Sequence, residues 1–414
     1  MKKNGFTLVE LLSIVVILGI IVVVALPQIS GSIGSKKEKQ YNKIVKIVEN
    51  AGKVYLTENV TRDSVSIDKL IKSDYLTSGL KNPINNAPLT GCVKKIISDG
   101  VTKYKYEVDN CPNYLTTYIM DLYDNEETSI ENGLKKDNTP DQNIRYYGSN
   151  PNNYVSFNNE LWRIIGVFGN NVKLVRSEKL GDLSWDSSEE SINAGGGVNE
   201  WSQADLQVYL NKMYYGGTSV TCYKGENNTT TTCPTGTIDE TSKSLIDYHT
   251  WNTGAPNYNT LYNSTTKSFD TIEFYKAERG SVNGKTCSSG TYCNDTVTRT
   301  TEWPGYIGLP YVTDWAYASG EDDCNTKIDV SSTYKCKNNN WMHYGSTNND
   351  TTWVMSPFAL PVNANVVWHV RGGGRTGNVG AARPLSAFPT IYLKSNIIIE
   401  SGKGTSSDPY ELSL

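Results

Sequence analysis

The feature that most constrains this chain is an apolar segment near its N-terminus that carries a single charge. Phe6–Leu26 is 21 residues long, and Glu10 is its only charged side chain. As an α-helix the segment spans roughly 32 Å, close to the thickness of the hydrocarbon core of a bilayer. The sequence therefore predicts one transmembrane helix.

The flanking residues predict the orientation of this helix. Lys2 and Lys3 precede it, so the positive-inside rule leaves Met1–Gly5 in the cytoplasm and the C-terminal body outside. A cleaved secretory signal peptide is the alternative. Its cleavage site would need small residues after the apolar run, and Leu26-Pro27-Gln28 fits that requirement poorly.

Glu10 needs its own explanation, because a carboxylate in hydrocarbon costs about 2.5–3.5 kcal/mol on insertion scales. Cleavage after Gly5 would give Phe6 an α-ammonium group within one helical turn of the depth of Glu10. In staggered chains the new terminus of one chain can meet Glu10 of a neighbour. The alternative is that Glu10 simply snorkels to the membrane interface.

The string Gly5-Phe6-Thr7-Leu8-Val9-Glu10-Leu11-Leu12, behind a short basic leader, resembles the N-terminal signal of type IV pilins and pseudopilins. The resemblance implies that a prepilin peptidase cleaves the Gly5–Phe6 bond and methylates Phe6. It also implies that Glu10 is the carboxylate used in assembly. Methylation keeps the positive charge on the amino group of Phe6, so this group can still pair with Glu10. Gly19 and Pro27 stand where this family has helix-weakening residues, although both residue types are common in membrane helices.

The apolar helix is predicted to continue as an amphipathic stem to residue 58. Its apolar positions recur every three or four residues, with lysines and glutamate between them; they are Tyr41, Ile44, Val45, Val48, Gly52 and Tyr55. Residues 59–115 are predicted to form a small head, with a short capped helix at Ser66–Ile71 and a β-hairpin turning at Ser98-Asp99-Gly100. The expected fold is α+β, a long N-terminal helix on a small antiparallel sheet as in the pilin fold.

The cysteines favour an oxidising location. They are even in number and fall in four close sequential pairs. Eight cysteines allow 105 pairings, and the simplest proposal joins neighbours along the chain. The proposed disulfides are Cys92–Cys111, Cys222–Cys233, Cys287–Cys293 and Cys324–Cys336. Zinc binding and free thiols are the alternatives, but neither CxxC spacing nor companion histidines are present.

Residues 116–142 are predicted to be a junction, and residues 143–414 a large extracellular domain. In this region short strands alternate with long polar loops, beginning with Tyr154–Phe157, Leu161–Val167 and Val172–Val175. Trp201–Leu210 is predicted to be one short helix.

The order of strands near the C-terminus is similar to C-type-lectin-like domains, including their formylglycine-generating-enzyme-like branch. The residues that carry the resemblance are Trp353–Pro357, Arg383-Pro384 and Ile391–Lys394. It implies a loop-rich, mostly β fold. The paired cysteines of the enzyme and the sugar-binding tripeptides of the lectins are missing, so copper-dependent oxidation and calcium-dependent sugar binding are not implied.

Few other residues suggest chemistry. His249, His343 and His369 stand beside apolar or aromatic residues, which favours packed or surface histidines over a catalytic or metal site. Glu321-Asp322-Asp323 with Asp314 could gather calcium, but the spacing fits no calcium loop, and a solvated turn is favoured. We expect no metal, no cofactor and no enzymatic activity.

A group of aromatic residues is open to two interpretations. Stacking on sugars or contact with a protein receptor would suit exposed rings, whereas core packing is the more ordinary and favoured role. The residues are Trp303, Tyr306, Tyr311, Trp315, Tyr317 and Trp341.

Charge excludes nucleic acid as a partner of the main body. Residues 1–58 carry eight Lys and four Glu, net +4, which leaves 31 basic and 39 acidic residues, net −8, in the remainder. Such a body repels polyanions.

The sequence thus predicts a type IV pilin-like filament subunit, with a minor or tip pilin as one form, that displays its large domain for adhesion. Its partners would be prepilin peptidase, other pilins and a glycan or protein receptor. The precursor would lie in the cytoplasmic membrane and the product in a cell-surface filament. The alternative is a pseudopilin of a secretion or DNA-uptake machine.

Overall fold

A computed structural model describes residues 33–60, 62–98, 100–109, 111–188, 196–282, 285–286, 300–329, 335–344, 350–359 and 364–414. The chain divides into two compact units, with the boundary between Thr117 and Tyr118. Each unit is described by itself below.

The described residues combine helices with many short strands. The α-helices are α1 (Ile33–Glu58), α2 (Ile67–Lys72), α3 (Leu115–Asp124), α4 (Glu126–Glu131), α5 (Asp205–Val208), α6 (Glu240–Leu245), α7 (Tyr258–Leu261), α8 (Thr271–Glu278) and α9 (Val312–Tyr317). The strands are β1 (Ser64–Ser66), β2 (Cys92–Ser98), β3 (Val101–Glu107), β4 (Leu134–Lys136), β5 (Ile144–Tyr146), β6 (Tyr154–Phe157), β7 (Glu160–Phe168), β8 (Asn171–Arg176), β9 (Gly181–Ser184), β10 (Cys222–Tyr223), β11 (Thr230–Thr231), β12 (His249–Asn252), β13 (Tyr262–Asn263), β14 (Ser268–Asp270), β15 (Ser281–Val282), β16 (Lys285–Thr286), β17 (Glu302–Gly305), β18 (Ile307–Gly308), β19 (Lys327–Asp329), β20 (Thr351–Pro357), β21 (Val366–Arg371), β22 (Thr376–Gly380), β23 (Pro384–Ala387), β24 (Thr390–Tyr392), β25 (Ile398–Ser401) and β26 (Tyr410–Ser413). The predicted α+β class agrees with this content, while the C-type-lectin-like topology stays a prediction.

In the first unit, the long helix α1 packs against a three-stranded antiparallel sheet in the order β1-β2-β3. The apolar face predicted for the stem is the face that packs, with Val48 and Tyr55 buried. Gly52 allows α1 to approach β2 closely, because a Cβ at this position would lie 2.4 Å from the Cβ of Val93. The predicted hairpin is confirmed, since β2 pairs with β3 from Cys92 through Ser98.

The short helix of this head is also confirmed. Ser66 precedes α2, and its Oγ accepts a hydrogen bond from the amide of Lys69 at 3.1 Å. An N-cap of this kind is worth roughly 1 kcal/mol. The backbone N–H of Ile67 donates to the carbonyl of Gly91, which ties the helix start to the strand that follows.

Residues 116–142, predicted to be a junction, contain regular structure. Helix α3 includes Thr117 and Tyr118, and α4 follows it with Asn125 as N-cap. Strand β4 then pairs antiparallel with β5. The polar composition of this segment therefore did not mean an absence of secondary structure.

The second unit is organised around two larger sheets of described strands. One has nine strands, with the path β18-β24-β8-β7-β6-β26-β25 and with β5 joining β4 to β7. The other has five strands in the order β22-β21-β20-β23-β9. The predicted strands β6, β7, β8, β20 and β21 are confirmed, and their inward residues include fully buried Trp162, Trp353 and Trp368.

The prediction of one short helix at Trp201–Leu210 is only partly right. A 3₁₀ turn at Trp201–Gln203 is separated by Ala204 from α5, and α5 continues as a π-helix over Tyr209–Tyr215. The segment is part of the core, because Tyr209 and Tyr214 are buried.

Candidate functional site

The predicted assembly residues lie outside the part of the chain that the structure describes. These are Gly5, Phe6, Glu10, Gly19 and Pro27. Among the described residues, no helix has the length and apolar character needed to cross a bilayer. The predicted span Phe6–Leu26 is not among those residues, so it stays a prediction.

The described part of the stem is polar on the face turned away from the sheet. Its exposed lysines are Lys36, Lys37, Lys39, Lys43, Lys46 and Lys53. On the other side, Glu49 accepts a hydrogen bond from the backbone N–H of Tyr106 at 3.2 Å and so links α1 to β3. The helix therefore anchors the head with one face and presents a basic face.

Three of the four proposed disulfides are present in the described residues. Cys92–Cys111 closes the hairpin of the first unit, and Cys222–Cys233 and Cys324–Cys336 tie short loops of the second. Cys287 and Cys293 lie outside the described residues. Each short cross-link restricts the unfolded chain and contributes about 2–4 kcal/mol.

The aromatic group proves to be mostly core. Tyr311, Trp315, Tyr317 and Trp341 are buried, so for these four the packing interpretation is right and the sugar-stacking one is wrong. Trp303 and Tyr306 are half-buried.

Tyr306 belongs to a small aromatic surface with two other tyrosines. Its ring stacks on Tyr215 with centroids 4.0 Å apart, and Tyr248 lies edge-on to it at 4.9 Å. Tyr248 is 59% exposed. Sequence analysis did not single out Tyr248, because it stands between Asp247 and His249 with no periodic pattern.

Four charged side chains form a buried site among the described residues of the second unit. Arg145 donates through Nε to Asp137 at 2.6 Å and through Nη1 to Oδ1 of Asp314 at 2.8 Å. The Nζ atom of Lys173 lies 2.5 Å from Oδ2 of Asp314, which also accepts from the backbone N–H of Tyr311 at 3.0 Å. We call Arg145, Lys173, Asp137 and Asp314 the ionic cluster. Its formal charges sum to zero.

Burial and attraction compete at each member of the ionic cluster. Burial alone would raise the pKa of Asp314, but Lys173 and Arg145 lower it to about 2. Burial lowers the pKa of Lys173 to about 8 even though Asp314 opposes that shift. We assign the pair as ionised, because both oxygens of Asp314 accept hydrogen bonds from donors that favour the carboxylate.

Aromatic rings surround the two cations of the ionic cluster. The Nζ atom of Lys173 lies 4.2 Å from the ring centroid of Tyr311, and the guanidinium carbon of Arg145 lies 4.6 Å from that of Phe168. With side chains of the ionic cluster at most 1% exposed, no substrate can reach it. Its role is to hold α9 and the strands of the large sheet together.

Glu278 is a second buried carboxyl group near this site. It accepts hydrogen bonds from Oγ1 and the backbone N–H of Thr313, at 2.5 and 3.3 Å. Burial raises its pKa to about 7, although Arg279 acts in the opposite direction. Arg279 lies 3.8 Å from Glu278 and stacks over the ring of Tyr275, 3.3 Å from its centroid.

Two of the four carboxylates in the calcium hypothesis have ionic partners of their own. Asp314 is committed to the ionic cluster, and Asp323 pairs with Lys335 at 2.8 Å. No group of three or more potential metal ligands occurs in the described parts of the chain.

The three histidines are packed against neighbours, as favoured from the sequence. His249 stacks on Tyr392 with centroids 3.7 Å apart. His343 shares a hydrogen bond through Nε2 with the carbonyl of Gly372 at 3.0 Å. Burial, followed by the charge of Arg371, lowers the pKa of His369 to about 3, so this imidazole is neutral.

One open groove on the second unit has a volume of about 470 Å³. It lies between α7, the β13–β14 hairpin and the first residue of β19. Its walls are polar except for Leu261 and Tyr262. Sequence inspection missed it, because its hydroxyl-rich residues read as an ordinary turn.

Comparison with known proteins yields one match. No curated protein and no solved structure matches the chain, and the C-type-lectin-like resemblance gains no support from them. Residues 1–26 match the prokaryotic N-terminal methylation motif. The chain therefore carries the prepilin-type signal that Gly5-Phe6 and Glu10 indicate.

Proposed function

We propose that this chain is a type IV pilin-like filament subunit of the minor or tip kind, which displays residues 118–414 outside the cell for adhesion. The observation that carries the proposal is the methylation motif at residues 1–26, followed by a helix whose one face anchors a small head. A signal of this type implies processing by prepilin peptidase and assembly with other pilins.

Assembly would use the apolar residues that first held the precursor in the membrane. Packing Phe6–Leu26 against the same segment of other subunits buries many large side chains, each contributing about 1.5–3 kcal/mol before the cost of ordering. Pairing of Glu10 with the methylated ammonium of Phe6 on a neighbour would remove the cost of an isolated carboxylate and set the stagger between subunits.

The second unit suits display in an oxidising environment. Two disulfides close loops within it, and such bonds persist outside the cytoplasm. It has far more residues than the head of the first unit, which a subunit with a purely structural role would not require. Both features support a surface role for this unit.

A pair of variants tests assembly. Glu10→Ala should strongly reduce the amount of protein in sheared filaments while cleavage continues, because the signal around Gly5 is intact. Glu38→Ala is the control, since this carboxylate is exposed on α1 and should leave incorporation unchanged. Equal incorporation of the Glu10→Ala variant would contradict the pairing.

Processing and position need two further measurements. Mass spectrometry of the mature protein should find an N-terminal, methylated Phe6, and a terminus at Met1 would refute processing. Immunogold labelling of residues 118–414 should mark extended filaments sparsely or at their tips. Label confined to the envelope with no filaments would instead support the pseudopilin alternative.

A further inference from the structure

The groove on the second unit is built mainly from hydrogen-bonding groups. Hydroxyls come from Thr260, Ser264 and Thr266, an amide from Asn263 and charges from Asp270 and Lys327. Its volume of about 470 Å³ lies in the range of small-ligand sites. These hydroxyl, amide and charged groups favour a polar ligand over a purely apolar one, which would leave them without hydrogen-bond partners.

The backbone around the groove is held in place before any ligand arrives. Oδ1 of Asn263 accepts from the backbone N–H groups of Thr265 at 2.9 Å and Thr266 at 3.1 Å, which fixes the turn between β13 and β14. The hydroxyls of Thr266 and Ser268 share a hydrogen bond at 2.8 Å. A site fixed in this way loses little entropy on binding.

Several polar groups of the groove remain available to a ligand. Among the described residues, Nδ2 of Asn263, Oγ of Ser264 and Nζ of Lys327 have no hydrogen-bond partner. Asp270 uses Oδ1 to cap α8 at the amide of Glu273, 2.9 Å away. The groove therefore offers both donors and acceptors to a ligand.

One aromatic ring completes the groove. Tyr262 is half-buried and is held by stacking on Tyr258, with centroids 4.8 Å apart, and by an edge contact with Phe269 at 5.9 Å. A ring fixed beside donors and acceptors matches a pyranose, which has a C–H face and a rim of hydroxyls.

The charges of the groove cancel. Asp270 and Lys327 occupy paired positions on β14 and β19, so an anionic or cationic ligand would meet one like charge. We propose that this groove binds a neutral oligosaccharide. The proposal deepens the adhesive role above and rests on it for its biological meaning, although the binding itself can be measured separately.

Saturation-transfer NMR on the full chain, purified in a detergent without a sugar headgroup, tests the proposal. The probes are maltotriose, mannotriose, chitotriose, lacto-N-tetraose and the acidic sialyllactose. We expect transfer to at least one neutral probe and a dissociation constant that rises at least about tenfold in Tyr262→Ala. The double variant Ser264→Ala/Lys327→Ala should show a similar loss with the ring intact.

Two controls keep the result interpretable. Tyr248→Ala removes an exposed ring outside the groove and should bind as the wild type does. Tyr262→Phe keeps the ring and should retain binding, and it separates loss of the ring from unfolding of the hairpin. Thermal unfolding of each variant confirms that the second unit is intact.

Several different results would contradict the proposal. Transfer to none of the neutral probes, transfer to sialyllactose alone, or unchanged binding in both groove variants would overturn the proposal. Binding of a synthetic peptide library in place of the sugars would do the same. Filament incorporation of the wild-type chain is measured in parallel. Normal incorporation without sugar binding by the wild-type chain refutes only the groove, and sugar binding without incorporation refutes only the filament role.

Discussion

Replacement of Asp314 by asparagine is the sharpest test of what stabilises the second unit. The change keeps the shape of the side chain and removes one negative charge from the ionic cluster. An amide has one acceptor and one donor end. Whichever way it turns, its NH₂ group faces either Nη1 of Arg145 or Nζ of Lys173, which lie 2.8 and 2.5 Å from the carboxylate oxygens.

The structure sets the size of the effect. Arg145 would keep Asp137, but the ionic cluster would carry a net charge of +1 with its side chains almost fully buried. Breaking a buried ion pair by removing one partner costs about 3–5 kcal/mol. For residues 118–414, with an unfolding entropy of about 2.1 cal/mol/K per residue, this corresponds to a fall in Tm on the order of 5–8 °C.

Scanning calorimetry of the full chain in detergent micelles measures this change. Asp323→Asn is the matched control, because Asp323 forms an exposed pair with Lys335 and should leave the transition unchanged. Lys173→Met should restore part of the stability lost in Asp314→Asn, since the double variant has no unpaired lysine. A loss below about 1 kcal/mol in Asp314→Asn, the range of a surface pair, would refute the assignment.

Two more predictions concern the buried acid and the stem. Because burial raises the pKa of Glu278 from 4.5 to about 7, the folded protein keeps a proton that the unfolded chain releases between these values, so stability falls as pH rises through this window. Glu278→Gln should remove this component, which over the window from 4.5 to about 7 is on the order of 3 kcal/mol. The free energy of unfolding in urea should therefore fall less between about pH 5 and about pH 7 in the variant than in the wild type, and an equal fall would contradict the assignment. Gly52→Ala would place a Cβ 2.4 Å from that of Val93 and should destabilise the first unit by about 1–3 kcal/mol, more than helix propensity can return. Calorimetry against the exposed control Asn50→Ala measures this difference, and equal transitions would refute the steric argument.

Local signals in the sequence predicted the local parts of the fold. Ser66 caps α2 because a serine oxygen can reach an amide three residues ahead, and this pattern is visible in the sequence. The turn signal after Ser98 likewise predicted the hairpin, and Ser98 pairs with Val101 at its end. Cysteine spacing also suggested the three observed disulfides.

Contacts between distant residues were not predictable in this manner. Lys173 stands in the apolar run Val172-Lys173-Leu174-Val175, where a lysine that faces the core hints at a buried partner. Nothing in the sequence identifies that partner as Asp314, which lies 141 residues away. The groove depends likewise on Lys327 approaching the β13–β14 hairpin from a strand far along the chain.

This division between local and distant contacts bears on how the chain folds. The observed disulfides join cysteines only 19, 11 and 12 residues apart, so each can close as soon as its own loop has formed. The salt bridges of Asp314 and the sheet order of the second unit require contacts between distant residues, which form slowly. Early closure of the short loops lowers the entropy cost of forming these later contacts. Pairing neighbouring cysteines therefore suits a domain whose central charges cannot be neutralised until most of its strands have been assembled.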